Sequence, residues 1–229
     1  MTRILIIEDD EDIAFIEKDY LEVSGYQVTV EINGIKGLTE ALTGEYDLIL
    51  LDVMLPGMDG FQICRKLRNK LDIPIMMVTA KRTEIEQIRG LGFAVKLDTN
   101  GTNPDMLEAL AQEGLLDYAA MDIKNSPDRY AETCGGVDLL GPVKRSATLL
   151  MAGAVDYEFR STVCAPLHTP EEMAGIGRWL KGAKRYFLQP FVDSGELVGS
   201  GMKPLTKEEI EALRDSVLPD IPSTQIRGQ

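Results

Sequence analysis

Glu8-Asp9-Asp10 follows the apolar run Ile4-Leu5-Ile6-Ile7, Asp52 closes the run Leu48-Ile49-Leu50-Leu51, and Thr79 closes a third, Ile75-Met76-Met77-Val78. If these runs are parallel strands of one sheet, their ends emerge on one edge and the carboxylates converge. Converging carboxylates repel one another unless a cation sits among them, and an oxygen-only donor set suits Mg²⁺. A carboxylate beside such an ion can accept a phosphoryl group, because the metal neutralises the incoming charge. The same acids could equally cap helix N-termini with no ligand at all. Spacing alone leaves both readings open.

The remaining candidates are weaker. Cys64, Cys134 and Cys164 are too few and too far apart in sequence for a metal centre or a disulfide framework, and read as small apolar residues. The single histidine, His168, cannot build a histidine site alone. It precedes Thr169-Pro170-Glu171-Glu172, a helix start with a capping threonine, Pro at the first helical position and Glu three residues on. His168 is therefore expected in a loop.

The elements that must position these groups follow from patterning. Eight short apolar runs are strand candidates: residues 3–7, 27–31, 48–53, 73–79, 93–98, 118–123, 156–163 and 185–191. Several are continuous rather than alternating, as expected of parallel strands buried on both faces. Helical stretches lie between them. Residues 13–24 carry Ile13, Ile16, Tyr20 and Leu21 as an apolar stripe, Asn103-Pro104 opens another helix, and Thr206 with Glu209 caps a last one over 207–217. Alternation of this kind is the signature of α/β architecture.

The chain has 229 residues, 44% of them hydrophobic, which is enough for one large core or two small ones. Its net charge of −13 and pI near 4.6 argue against nucleic acid or an anionic membrane as partner. Residues 1–91 carry about −7 and the rest about −6, so neither half is a basic module. No apolar run is long enough to span a bilayer, and Met1-Thr2-Arg3 leads directly into a strand, so a cytoplasmic location is expected.

The motifs of the first half carry a family likeness. Ile4–Asp10, Leu51-Asp52-Val53-Met54-Leu55-Pro56-Gly57-Met58-Asp59-Gly60 and Pro74-Ile75-Met76-Met77-Val78-Thr79-Ala80 resemble the receiver domain of two-component response regulators. The resemblance implies Asp52 as phosphoacceptor, Glu8 and Asp9 as acids of a Mg²⁺ site, the Met54 carbonyl as a further metal ligand, and Thr79 as the hydroxyl facing the phosphoryl group. It also implies a histidine kinase or other phosphodonor, provided the pocket is competent. The family's fifth strand, with its Lys-Pro element, and its fifth helix do not follow Thr79, so signalling is expected to be lost.

Residues 92–229 resemble radical S-adenosylmethionine activating enzymes, the group that activates pyruvate formate-lyase and anaerobic ribonucleotide reductase. The likeness rests on Phe93-Ala94-Val95-Lys96-Leu97-Asp98-Thr99-Asn100-Gly101, Tyr118-Ala119-Ala120-Met121-Asp122-Ile123-Lys124, Tyr157-Glu158-Phe159-Arg160 and Tyr186-Phe187-Leu188-Gln189-Pro190-Phe191, closing with Arg227-Gly228. It implies Asp98, Asp122, Lys124 and Arg160 at the mouth of a barrel, near cofactor or substrate. As a bare pair, Asp122 and Lys124 are more often an ordinary ion pair. The C-x3-C-x2-C loop of that family is absent, so no iron–sulfur cluster and no radical chemistry are expected.

Two truncated families meeting at a linkerless seam after residue 91 read as an engineered chimeric scaffold without catalytic activity, retaining at most weak Mg²⁺ binding. Four receiver units (1–91) and four further units (92–229) make eight, the count of a closed (βα)8 barrel, so one fused domain is expected, built from a flavodoxin-like fragment and a partial barrel. Closure requires the first strands to pair in the order 1-2-3-4 and the run 73–79 to pair with 93–98. The alternatives are a phosphoacceptor module acting at Asp52, and an activating enzyme whose partner supplies the cluster.

Overall fold

A computed structural model describes residues 1–78, 82–192 and 201–227. The chain divides into two compact units, Met1–Phe93 and Ala94–Gln229.

The first unit runs β1 (Arg3–Ile7), α1 (Glu11–Val23), β2 (Gln27–Glu31), α2 (Gly34–Ala41), β3 (Leu48–Asp52), α3 (Gly60–Arg68), β4 (Ile75–Val78) and α4 (Arg82–Gly90). Its four strands are parallel in the order β2-β1-β3-β4. Strand alternation sorts the side chains to two faces. Leu5, Ile7, Ile49, Leu51 and Ile75 pack with Ala41, Ile63, Cys64 and Leu67 of α2 and α3. Ile4, Ile6 and Val28 pack on the other face with Leu21 of α1. Right-handed crossovers dictate this split: the step from β1 to β2 runs one way along the sheet, and the steps to β3 and β4 run the other.

The second unit runs β5 (Lys96–Thr99), α5 (Pro104–Gln112), β6 (Tyr118–Asp122), α6 (Tyr130–Thr133), α7 (Leu140–Met151), β7 (Asp156–Val163), α8 (Pro170–Trp179), β8 (Tyr186–Pro190), α9 (Lys207–Val217) and β9 (Thr224–Ile226). Here the order is consecutive, β5-β6-β7-β8-β9, and every ladder is parallel. The face bearing Ala119, Met121, Tyr157, Phe159, Tyr186 and Leu188 is fully buried. Reciprocal capping boxes start two helices, Thr169 with Glu172 and Thr206 with Glu209, as their spacing predicts.

The single closed barrel is not what these strands form. The first sheet keeps the order β2-β1-β3-β4 instead of re-pairing as 1-2-3-4, and the described ladders place β4 and β5 in separate sheets. The reason is steric: α1 occupies the sheet face that a barrel would fill with side chains. The stripe on α1 also differs from expectation. Ala14 is its buried residue, whereas Ile13, Ile16 and Tyr20 are exposed, because α1 turns Ala14 inward and packs on the sheet cluster through Leu21. The strand at 224–226 is too short to announce itself in sequence.

Two consequences can be measured. Gly60 opens α3 so close to β3 that a Cβ there would lie 2.3 Å from the Asp52 carbonyl oxygen. Gly60→Ala therefore displaces α3 from the strand end and costs about 1–3 kcal/mol in a denaturant titration. His168 is buried in its loop, accepting the Cys164 N–H at Nδ1 (3.2 Å) and donating from Nε2 to the Lys124 carbonyl (3.0 Å). Burial holds its pKa below the ordinary 6.5, so the unfolded chain takes up the proton first. Its contribution is complete above that value and is lost as pH falls below it. The melting temperature should drop on acidification through this window, and His168→Gln should flatten that part of the profile.

Candidate metal and phosphoryl site

β1 and β3 are adjacent with Ile7 opposite Leu51, so the residue after β1 and the last residue of β3 reach the same level of the sheet edge. Glu8, Asp9 and Asp52 accordingly place carboxylate oxygens within 4.8 Å of one another. Glu8 is the buried member, Asp52 is half-buried and Asp9 is exposed. Among the described residues this is the acidic or cysteine–histidine grouping compact enough to hold a metal ion.

The loops lock these acids in place. The Glu8 carboxylate accepts the Asp10 N–H at 3.1 Å, and Asp10 in turn caps α1 by accepting from Asp12 and Ile13 N–H. Asp52 accepts the Met54 N–H at 3.0 Å, which folds the chain back over the strand end. Asp59 caps α3 through the Gln62 N–H at 2.8 Å, and the Gly60 N–H returns to the Val53 carbonyl.

Among the described residues, burial and neighbouring acids set the electrostatics of Glu8 and Glu17. Burial, with added repulsion from Asp52 and Asp9, pushes the Glu8 carboxyl above its ordinary range, against the pull of the Asp10 N–H. Glu17 on α1 is raised as well, by burial and then by Asp52. A hard cation among the three carboxylates would reverse the repulsion, and their all-oxygen character fits Mg²⁺. Met54 sits in the loop with its backbone N–H turned to Asp52 and its side chain exposed. Thr79 lies outside the described residues.

The four residues expected at a second site also gather. Arg160, on β7, pairs with Asp98 of β5 at 2.7 Å and with Asp122 of β6 at 2.5 Å, and Lys124 reaches Asp122 at 3.4 Å. Arg160 and Asp122 are directly opposite in the β6–β7 register. Sequence reasoning missed Glu158 on the same polar face, buried and held by Tyr118 Oη and by Arg227 through both carboxylate oxygens. Burial alone would raise its acid, but Arg227 and Tyr118 hold it below the ordinary carboxylate range. It also missed Glu17 and Gly60; a glycine directly after Asp59 at a helix start was the available signal for the latter. Cys64 and Cys164 are buried and Cys134 is partly so, all as free thiols.

Residues 4–97 match the family described as the response regulator receiver domain, running past the seam expected after residue 91. The response regulator ArlR of Staphylococcus saprophyticus is 46% identical over 94 residues, 41% of this chain and 42% of the relative. ArlR of Staphylococcus epidermidis is 35% identical over 138 residues, 60% of this chain and 59% of the relative. The chain thus spans between two fifths and three fifths of these relatives' length. The response regulator TrrA of Thermotoga maritima, solved in complex with Mg(2+)-BeF, aligns with 29% identity, a TM-score of 0.39, and 51% and 100% coverage of the two chains. At that score the assignment rests on the sequence match. None of these matches supports a chimeric or engineered origin or a radical S-adenosylmethionine segment, so the likeness of residues 92–229 stands on its motifs alone. Nor do they support the exclusion of nucleic acid, which rested on net charge. No helix among the described residues is long and apolar enough to cross a membrane. The sequence match thus supports a response regulator receiver domain over residues 4–97, about two fifths of this chain.

Proposed function

We propose that the first unit is a phosphoacceptor module, with Asp52 receiving a phosphoryl group from a histidine kinase or a small phosphodonor. The observation that carries it is the convergence of the Glu8, Asp9 and Asp52 carboxylates within 4.8 Å at the end of two adjacent parallel strands. Mg²⁺ would be held by those carboxylates with the Met54 carbonyl, and when bound it supplies charge neutralisation for the incoming group. The chain's own contribution is positional. The Met54 N–H holds one Asp52 oxygen at 3.0 Å and leaves the carboxylate at the sheet edge, while Asp10 keeps Glu8 turned into the pocket. Asp52 then attacks phosphorus in line, the bond from phosphorus to the donor's leaving group breaks, and an acyl phosphate forms.

This reading outranks an inert scaffold, because the acids, their caps and their strand neighbours are all present. Incubation with acetyl phosphate and Mg²⁺ should add one phosphoryl group to the intact mass, and Asp52→Ala should abolish the gain. An unchanged mass for the wild-type chain would overturn the proposal.

Metal binding can be tested separately. The Mg²⁺-dependent rise in melting temperature should correspond to about 1.4 kcal/mol at ten times the Kd. Asp52→Asn should cancel that response, because it removes one of the three carboxylates that would hold the ion. A wild-type curve indifferent to Mg²⁺ would count against an intact pocket.

For the second unit we infer a vestigial cofactor or substrate face without catalysis. The support is that Arg160 joins Asp98 and Asp122 across three strands with Lys124 alongside, while the cysteine triad of the activating enzymes is absent from the sequence. Formation of 5′-deoxyadenosine from S-adenosylmethionine after anaerobic iron and sulfide reconstitution would refute this.

A further inference from the structure

We infer that the outer edge of β2 is a docking edge for a second copy of this chain, paired antiparallel about Thr29. Among the described residues β2 pairs with β1 alone, which leaves its far side without a strand partner there. The Gln27 N–H donates to Thr2 and the Glu31 carbonyl accepts from Glu8, both toward β1. By strand alternation Thr29 also faces inward, and Val28 and Val30 turn their N–H and C=O groups outward.

The sequence of this edge is self-complementary. With Thr29 opposite its own copy, Val28 meets Val30 and Val30 meets Val28, each pair exchanging two backbone hydrogen bonds. Gln27 then faces Glu31, so no like charges oppose. One residue further out, Tyr26 faces Ile32. These are 39% and 45% exposed, unusual for large apolar groups at both ends of one strand, and as a cross-strand aromatic and β-branched pair they would cover each other.

The neighbouring helix fits the same twofold axis. An open groove of about 480 Å³ separates α1 from the β2 edge, lined by Glu11, Phe15 and Lys18 together with residues 28–32. Phe15 is half exposed there. An antiparallel second copy sets Phe15 near the axis and brings Glu11 of each copy toward Lys18 of the other. The groove, the exposed apolar residues and the opposite charges at its two ends select the same occupant. An isologous contact of this kind closes as a dimer and leaves no free β2 edge for further growth.

Sedimentation equilibrium of the full chain tests this. The expected mass is twice 25.3 kDa. Val30→Pro removes one outward N–H and leaves the inward ladder intact, so it should give monomer with unchanged circular dichroism. Lys18→Glu should weaken association at least tenfold, and adding Glu11→Lys to it should restore the dimer, a rescue that misfolding cannot imitate. Met76→Glu, on the opposite edge strand β4, should leave the dimer intact. A monomeric wild type, a dimer lost in Met76→Glu, or no rescue by the charge exchange would each overturn the proposal.

Discussion

β1 steps outward to β2, and the chain then returns across it to β3, so two consecutive strand ends diverge from the middle of the sheet. Everything at the acidic pocket depends on this reversal. It leaves a crevice where β1 and β3 lie side by side, the place where open parallel sheets bind ligands. Glu8 and Asp52 are 44 residues apart in sequence and neighbours only because of it. Once they are neighbours, burial and mutual repulsion raise the Glu8 acid, and the pocket gains by accepting a cation. The Asp10 and Asp59 caps and the contact of Gly60 with the Asp52 carbonyl hold the strand ends in that arrangement.

How much of this was legible in the chain depended on the range of the interaction. Helix starts are local, and Asn103-Pro104, Thr169 with Glu172, and Thr206 with Glu209 appear where their spacing places them. Strand cores are nearly local: 3–7, 27–31 and 156–163 coincide with the observed strands. Strand ends are less so. The run at 73–79 begins as a strand only at Ile75, after Pro74, which has no N–H to give a ladder. Pairing is not local at all. Counting eight units suggested a closed barrel, but a count carries no information on which strand neighbours which. Handedness decides that, and it puts α1 where a barrel interior would be.

The candidate acids were legible because a motif supplies what periodicity cannot. Glu8, Asp9 and Asp52 come together as their pattern implies. Glu17 was not, since nothing in α1 distinguishes an acid turned toward Asp52 from one turned to water. Nor was Glu158, which reads as a polar residue within a strand and proves buried between Tyr118 and Arg227. His168 shows the same limit from the other side: a loop position by sequence, yet buried and bonded at both ring nitrogens.

The second sheet has no reversal, and its chemistry is arranged differently in consequence. Strands that follow one another as β5-β6-β7-β8-β9 open no crevice between diverging ends. Polar groups instead collect across one face of successive strands. That is where Asp98, Asp122 and Arg160 are found, and Glu158 with Arg227 below them. Opposite charges meet across adjacent and next-but-one strands, so the network satisfies itself: Arg160 spans two carboxylates and Glu158 takes two donors. The first unit gathers three carboxylates at a crevice. The second disperses opposite charges over one face of its sheet, where acids and bases pair with one another. Strand order, more than composition, sets that difference, since both halves carry nearly the same net charge.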